Sequence, residues 1–235
     1  MPGSIRLYID APLATGLTVE ATAAQAHHLA TVMRRANGDP LRLFNGRDGE
    51  FGAYIAALRR DRASLRVEDR LRPQRPELDL WLVFALLKRD ATDLVVQKAT
   101  ELGAAALLPV ITERTIAGRV NEARLAAIAI EASEQCERLT LPRVLTPRPL
   151  TTVLEEWQPA RQLFAAAERA AAPAIRAAHG PAAFLVGPEG GFTPAELDAL
   201  RAHPFVTIVS LGPRILRAET ACIAGLALLQ AGNCG

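Results

Sequence analysis

Two glycine-rich segments carry the residue types from which a ligand site can be built. The first, Gly187-Pro188-Glu189-Gly190-Gly191-Phe192, follows the apolar run AAFLV and leads into Thr193-Pro194-Ala195-Glu196. Its glycines let the backbone turn sharply and approach a ligand without side-chain obstruction. Thr193 is placed to cap a helix, Pro194 suits the first helical position, and Glu196 completes a capping box. A tight strand-to-helix connection that binds nothing has the same local pattern. A phosphate cradle fits poorly, because neither GxGxxG nor GxxxxGK followed by Ser or Thr occurs, and Glu189 would set a negative charge against the phosphate. A cationic or zwitterionic ligand held by backbone groups fits better.

The second segment is Leu211-Gly212-Pro213-Arg214-Ile215-Leu216-Arg217-Ala218-Glu219-Thr220, again after an apolar run and before an apolar helix. Arg214 and Arg217 lie three apart, a spacing suited to a phosphate or a developing oxyanion. Glu219 falls at the positive end of the coming helix, which favours a carboxylate. A surface connection with an ordinary Arg-Glu pair is the competing reading.

Ligands of α/β sheets gather at the carboxyl ends of strands, so both segments need a sheet to carry them. From residue 77 onward the chain alternates apolar runs with amphipathic stretches. LDLWLVFALL, a helix over 91–102, AALLPVI and a helix over 121–138 come first. RQLFAAA, a short helix, AAFLVG, a helix over 194–202, FVTIVSLG and a last helix from about Glu219 to Ala231 follow. This alternation predicts an α/β domain with a mostly parallel sheet covered on both faces. In the 121–138 helix, Leu125, Ile128, Ala132 and Cys136 share the apolar face. Before residue 72 the pattern differs, with short strands over 5–9, 40–45, 50–58 and 63–70 and turn chemistry at Asn45-Gly46 and Asp48-Gly49. A small β-barrel or curled sheet is expected there, capped by a helix in which Ala26, Leu29, Ala30 and Met33 face inward. RPQRPE, residues 72–77, is the boundary, giving domains 1–72 and 77–235.

Composition excludes several classes. The 235 residues are 50% hydrophobic and 22% charged, enough to build a core and too apolar for wholesale disorder. Three cysteines without CxxC spacing, and an N-terminus MPGSIRLYID that does not read as a signal peptide, point to the cytoplasm. No apolar stretch is long enough for a membrane span. The net charge of +2 hides an asymmetry: residues 1–76 hold 12 basic against 8 acidic side chains, the remainder 15 against 17. Arg6, Arg34, Arg35, Arg42, Arg47, Arg59 and Arg60 make the first segment a candidate for phosphate neutralisation, although a solvated face explains such charges equally well. His27 and His28 have no further ligand at metal-binding spacing, so no metal is expected.

GPEGGFxxxE followed some twenty residues later by SLGxRILRxETA resembles the RsmE family, which methylates uridine N3 in small-subunit ribosomal RNA. The likeness extends through His27-His28-Leu29, Met33-Arg34-Arg35, Lys88-Arg89-Asp90, Gln97 to Gly103, Thr112-Glu113-Arg114 and Glu131 to Cys136, in consistent order along nearly the whole chain. Where the family often has glycine after this cysteine and a polar pair after the next arginine, this chain has Glu137, Leu139 and Thr140.

The resemblance implies a PUA-like N-terminal β-barrel and a C-terminal SPOUT methyltransferase domain, an α/β fold tied in a trefoil knot, acting as a homodimer on 16S ribosomal RNA. It implies S-adenosylmethionine as cofactor, held by Ala165, Ala166 and Glu168, by Gly187, Pro188, Glu189, Gly190 and Gly191, and by Leu211, Gly212, Ile215, Leu216 and Thr220. Arg217, Arg138 and Glu219 become the catalytic candidates, and Arg6, His27, His28, Arg34, Arg35, Lys88, Arg89 and Arg114 the RNA-facing ones. Two other readings compete: a ribose 2′-O enzyme of the same superfamily, opposed by the motif set, and an RNA-binding protein without catalysis, opposed by the two intact loops.

Overall fold

The computed structural model describes residues 5–116, 120–166, 172–178 and 180–231. The chain forms two compact units, Met1–Pro76 with Ser133–Leu141, and Glu77–Ala132 with Pro142–Gly235.

In the first unit, β1 (Arg6–Tyr8), β2 (Thr18–Ala21), β3 (Pro40–Phe44), β4 (Glu50–Leu58) and β5 (Ala63–Arg72) form one sheet in the order β1-β3-β4-β5-β2. Only β1 and β3 run parallel. Buried and outward residues alternate along the first half of β5, with Ala63, Leu65 and Val67 inside, as a half-buried strand requires. Both edge strands feed the same core, Leu7 from β1 and Val19 from β2 meeting Leu43, Ile55 and Leu65, so the sheet curls around its own apolar face.

Helix α1 (Ala23–His27) begins with a capping box between Thr22 and Gln25 and continues as a π-helical turn over His28–Val32. That wider turn breaks the 3.6-residue register that placed Met33 beside Ala26 and Leu29. Ala26 and Leu29 are buried as expected, but Met33 and Val32 face solvent, and Arg34 follows at φ +51°.

The second unit contains β6 (Leu80–Ala85), α2 (Arg89–Glu101), β7 (Ala106–Ile111), all but the last three residues of α3 (Glu122–Gln135), β8 (Arg143–Val144), β9 (Arg148–Pro149) and α4 (Leu150–Glu155). It continues with β10 (Gln162–Ala166), β11 (Ala182–Val186), α5 (Pro194–Ala202), β12 (Val206–Val209) and α6 (Ala218–Gln230). The sheet order is β12-β10-β11-β6-β7-β8, with β9 also beside β7, and every pairing is parallel. Successive residues serve opposite faces: Leu82, Phe84 and Phe184 enter one core with residues of α2 and α6, while Val83 and Leu185 enter another with residues of α4 and α5. The strands are therefore apolar throughout, not alternating. The short helix expected between β10 and β11 is absent from residues 172–178, where Ala174 instead bridges to Ser210.

Helix α3 ends at Gln135, short of the expected 138, because Glu137 adopts φ +60°; Cys136 is consequently exposed. After the edge strand β12, the chain returns to the middle of the sheet, where α6 packs on β11, β6 and α2. Gly225 permits that approach: a Cβ there would lie 2.0 Å from Cε1 of Phe184. Gly225→Ala in an open helix would gain up to about 1 kcal/mol. Here overpacking is expected to reverse the sign and cost about 1–3 kcal/mol. Chemical denaturation of the variant measures this, and unchanged or increased stability would contradict the close packing.

Candidate functional site

Parallel pairing in register sets the geometry of the site. Ala166, the last residue of β10, pairs with Val186 at the end of β11 and with Val209 at the end of β12. The loops that follow these three neighbouring strands therefore start level with one another, at the sheet end where α/β proteins bind ligands. Ala165 is buried in the core and Ala166 half-buried, so this strand offers mainly backbone. Glu168 lies outside the described residues.

The loop after β11 is shaped by its glycines. A Cβ on Gly187 would stand 3.0 Å from the ring of the buried Phe192, so Phe192 seals the base of the loop only because residue 187 lacks a side chain. Gly191 adopts φ +68°, and its N–H donates to the Pro188 carbonyl at 2.8 Å. Pro188 is buried, whereas Glu189 and Gly190 face solvent. The capping box expected at α5 is present: Thr193 Oγ1 accepts from the Glu196 N–H, and Glu196 Oε2 accepts from the Thr193 N–H.

The loop after β12 turns at Gly212, which has φ +112° and open space where a Cβ would stand. Leu211 and Leu216 pack against the core, while Arg214, Ile215, Arg217 and Thr220 are exposed. Arg217 caps α6 through its backbone alone, and Glu219 lies half-buried in the first turn. One turn further, burial pushes the Cys222 thiol pKa well above its ordinary value, with the Glu219 charge adding to the effect. It stays protonated, which disqualifies it as a nucleophile. Exposed backbone, the apolar Ile215 and two carboxylates suit a zwitterionic, sulfonium-bearing ligand such as S-adenosylmethionine. A cavity of about 320 Å3 lies elsewhere in this unit, between Trp81, Leu108, Val153, Trp157 and Arg161.

Not all of the candidate arginines are available to RNA. Arg6 is buried, its side chain 2% exposed. It meets Glu50 Oε1 at 2.5 Å, lies over the Phe44 ring, and donates to the carbonyls of Ser133, Glu134 and Arg138. It thus satisfies backbone acceptors at the end of α3, and its assignment as a phosphate contact gives way to a structural one. Arg72 grips both carboxylate oxygens of Glu50, donating to Oε2 at 2.8 Å and to Oε1 at 2.9 Å, and also donates to the Glu137 carbonyl. Arg42 pairs with the Glu137 carboxylate at 2.8 Å and holds its pKa below the ordinary value. This ion pair helps to offset the left-handed backbone at a position where glycine would be unstrained. Arg138 is itself buried, with Nε donating to Thr140 Oγ1.

The other candidates are more open. His27 and His28 are exposed at the junction of α1 and the π turn, Arg34 is exposed, and Arg35 is half-buried with Asp39 at 3.9 Å. Val32 and Met33 add exposed apolar surface beside them. Lys88 and Arg89 are exposed at the start of α2. Arg114 is exposed but engaged, donating to the Gly190 carbonyl. Among the described residues, no group of His, Cys, Asp and Glu could hold a metal, and no helix is long and apolar enough to cross a membrane.

A family model described as an RNA methyltransferase domain matches residues 74–230, and one described as an RNA methyltransferase PUA domain matches residues 21–68. Together with the level strand ends, these define the class as an RNA methyltransferase with a PUA-like domain. Over 230 residues the chain is 35% identical to ribosomal RNA small subunit methyltransferase E of Rickettsia conorii, covering 96% of this chain and 94% of that protein. It belongs to the ribosomal RNA small subunit methyltransferase E family. A protein of Legionella pneumophila solved with S-adenosylmethionine bound superposes with a TM-score of 0.90 at 31% identity, covering 97% of this chain and 98% of the other. A small subunit methyltransferase E from Neisseria gonorrhoeae, also bound to S-adenosylmethionine, gives 0.87 at 30% identity and 97% coverage of both.

The Arg6–Glu50–Arg72 cluster has a measurable acid signature. Burial acts to raise the Glu50 pKa, but hydrogen bonds from Arg72 and Arg6 override it and hold the carboxyl below its ordinary value of 4.5. Its contribution to stability is therefore present above that value and is lost as pH falls through the lower folded-state pKa. Denaturation between pH 6 and pH 3 should show a decline below about pH 4.5 that is reduced in Glu50→Gln. At neutral pH, Arg6→Ala should cost about 3–5 kcal/mol by leaving Glu50 short of a buried partner. An Arg6→Ala protein of unaltered stability would refute the structural role.

Proposed function

We propose that this chain transfers the methyl group of S-adenosylmethionine to N3 of a uridine in 16S ribosomal RNA, acting in the cytoplasm as a homodimer. The observation that carries this reading is the set of loops leaving the level ends of β10, β11 and β12, in a chain of this family. The return of the chain from edge strand β12 to α6 at the sheet centre supports the trefoil knot that the resemblance implies. Leu228, exposed on α6, supplies apolar surface for a subunit contact.

In this reading the cofactor is held by the backbones of Gly187 to Gly191 and Leu211 to Leu216, with Ala165, Ala166 and Thr220 beside them, and Glu168 is assigned to it by the resemblance alone. When bound, S-adenosylmethionine supplies a methyl group on a cationic sulfur. Uridine N3 must lose its proton before its lone pair can attack that carbon, and the negative charge spreads onto O2 and O4. Arg217 is the residue best placed to stabilise this charge, because it is exposed within the loop while its backbone is fixed at the start of α6. Arg138, buried and bonded to Thr140, is the second candidate. Glu219 can accept the proton, although a carboxylate is a poor base for so weak an acid, and arginine-assisted ionisation carries more of the work. Phosphates are met by Arg34 and Arg35 with His27 and His28, and by Lys88 and Arg89.

Incubating 16S ribosomal RNA with the chain and isotope-labelled S-adenosylmethionine, followed by mass spectrometry of the nucleosides, is expected to give labelled 3-methyluridine. Label in ribose, or none from a cofactor-binding preparation, would contradict the proposal. Arg217→Ala should lower kcat about a hundred- to a thousandfold with cofactor affinity retained. Raising the pH should restore part of the rate, because uridine then ionises unaided. A parallel loss of cofactor affinity would move Arg217 into binding and transfer the catalytic assignment to Arg138. Replacing Arg34 and Arg35 together with alanine should weaken RNA binding and flatten its dependence on salt, since fewer counterions are released. An unchanged slope would leave these arginines as ordinary surface charges.

A further inference from the structure

The turn after β7, far from the GPEGGF loop in sequence, is built as a brace for it. Thr112 and Thr115 close the turn with three hydrogen bonds: Thr112 N–H to Thr115 Oγ1 at 2.9 Å, the two hydroxyls at 2.8 Å, and Thr115 N–H to the Thr112 carbonyl at 3.1 Å. Thr112 is buried, so the direction of the two residues between them is set from below. The Glu113 N–H donates to Glu196 Oε1 at 2.9 Å, while the other oxygen of Glu196 completes the capping box of α5. Arg114 Nη1 donates to the Gly190 carbonyl at 2.8 Å, and its Cδ would lie 3.4 Å from a Cβ on Gly190.

These contacts converge on one peptide group. The peptide joining Gly190 to Gly191 has its carbonyl held by Arg114 and its N–H held by the Pro188 carbonyl. Glycine on both sides makes rotation of such a peptide plane sterically cheap, so its orientation has to be enforced from outside. Gly191 at φ +68° is the conformation that the enforced orientation produces. A ligand recognised through loop backbone depends on the direction of each N–H and C=O, and preorganisation lowers the cost of binding.

We infer that Arg114 is a positioning residue for the cofactor, which locks the Gly190–Gly191 peptide plane, and that Glu196 anchors this brace through Glu113. The inference rests on the reading of GPEGGF as a cofactor loop. It removes Arg114 from the RNA contacts and gives Glu196 a function beyond capping.

Calorimetric titration of the full chain with S-adenosylmethionine, with RNA affinity and steady-state kinetics in parallel, tests it. Arg114→Ala should weaken cofactor binding roughly tenfold. The KM for S-adenosylmethionine should rise while kcat, RNA affinity and the thermal midpoint stay near the parent values. Arg114→Lys should recover part of the affinity, because an ammonium can still donate to the Gly190 carbonyl. Glu196→Gln, left with one acceptor oxygen for two N–H groups, should show a smaller loss in the same parameter. Cofactor affinity unchanged in Arg114→Ala, or a loss confined to RNA affinity, would overturn the inference. Gly190→Val separates the two levels of the argument: it should abolish cofactor binding if the loop is the site at all. Retained affinity in Gly190→Val refutes the site itself, whereas its loss beside a normal Arg114→Ala refutes only the brace.

Discussion

The common register of β12, β10, β11 and β6 is the constraint from which the second unit follows. Because these strands are parallel and their last pairs coincide, three separate loops begin at one level, and no single loop has to form the site alone. Parallel strands buried on both faces require helices on both sides, which is why Phe184 and its neighbour Leu185 serve different cores. The same order places the last strand at the sheet edge while α6 packs at its centre, an approach that a side chain at Gly225 would obstruct.

In the first unit, apolar packing and buried charge share the work. The curled sheet supplies an apolar core, and Glu50, with a side chain only 1% exposed, draws Arg6 and Arg72 to it. Arg6 has enough donors to hold Glu50 and three carbonyls of the segment 133–138 at once, which lysine could not match. The end of α3 and the turn after it are thereby tied to the sheet that contains β1, although more than one hundred residues separate them in the chain. An isolated buried carboxylate would be costly, so this cluster depends on all of its members.

Much of this architecture is legible in the residues, and the exceptions have physical causes. Long apolar runs such as AAFLV, and the capping signal Thr193-Pro194-Ala195-Glu196, announce their elements because local chemistry and tertiary context agree. Strand β2 is hidden because only Val19 of its four residues is buried, and β8 and β9 are two-residue pairings in a proline-bearing segment. A 3.6-residue period turns Met33 inward, and the π turn does not keep that period. The helical pattern of α3 runs on past its true end because nothing local signals a left-handed glutamate; the ion pair that accompanies it comes from Arg42, distant in sequence. The two glycine loops are visible from the sequence, whereas Arg6 and Arg114 read as surface cations because their partners lie far away along the chain.

The central claim is that backbone at the ends of β11 and β12 holds the cofactor. Amide hydrogen exchange of the full chain, followed with and without saturating S-adenosylmethionine, tests it most directly. The account predicts added protection in residues 187–191 and 211–217 and little change in β4 and β5 of the first unit. Protection confined to other segments, with these two loops exchanging as before, would contradict it.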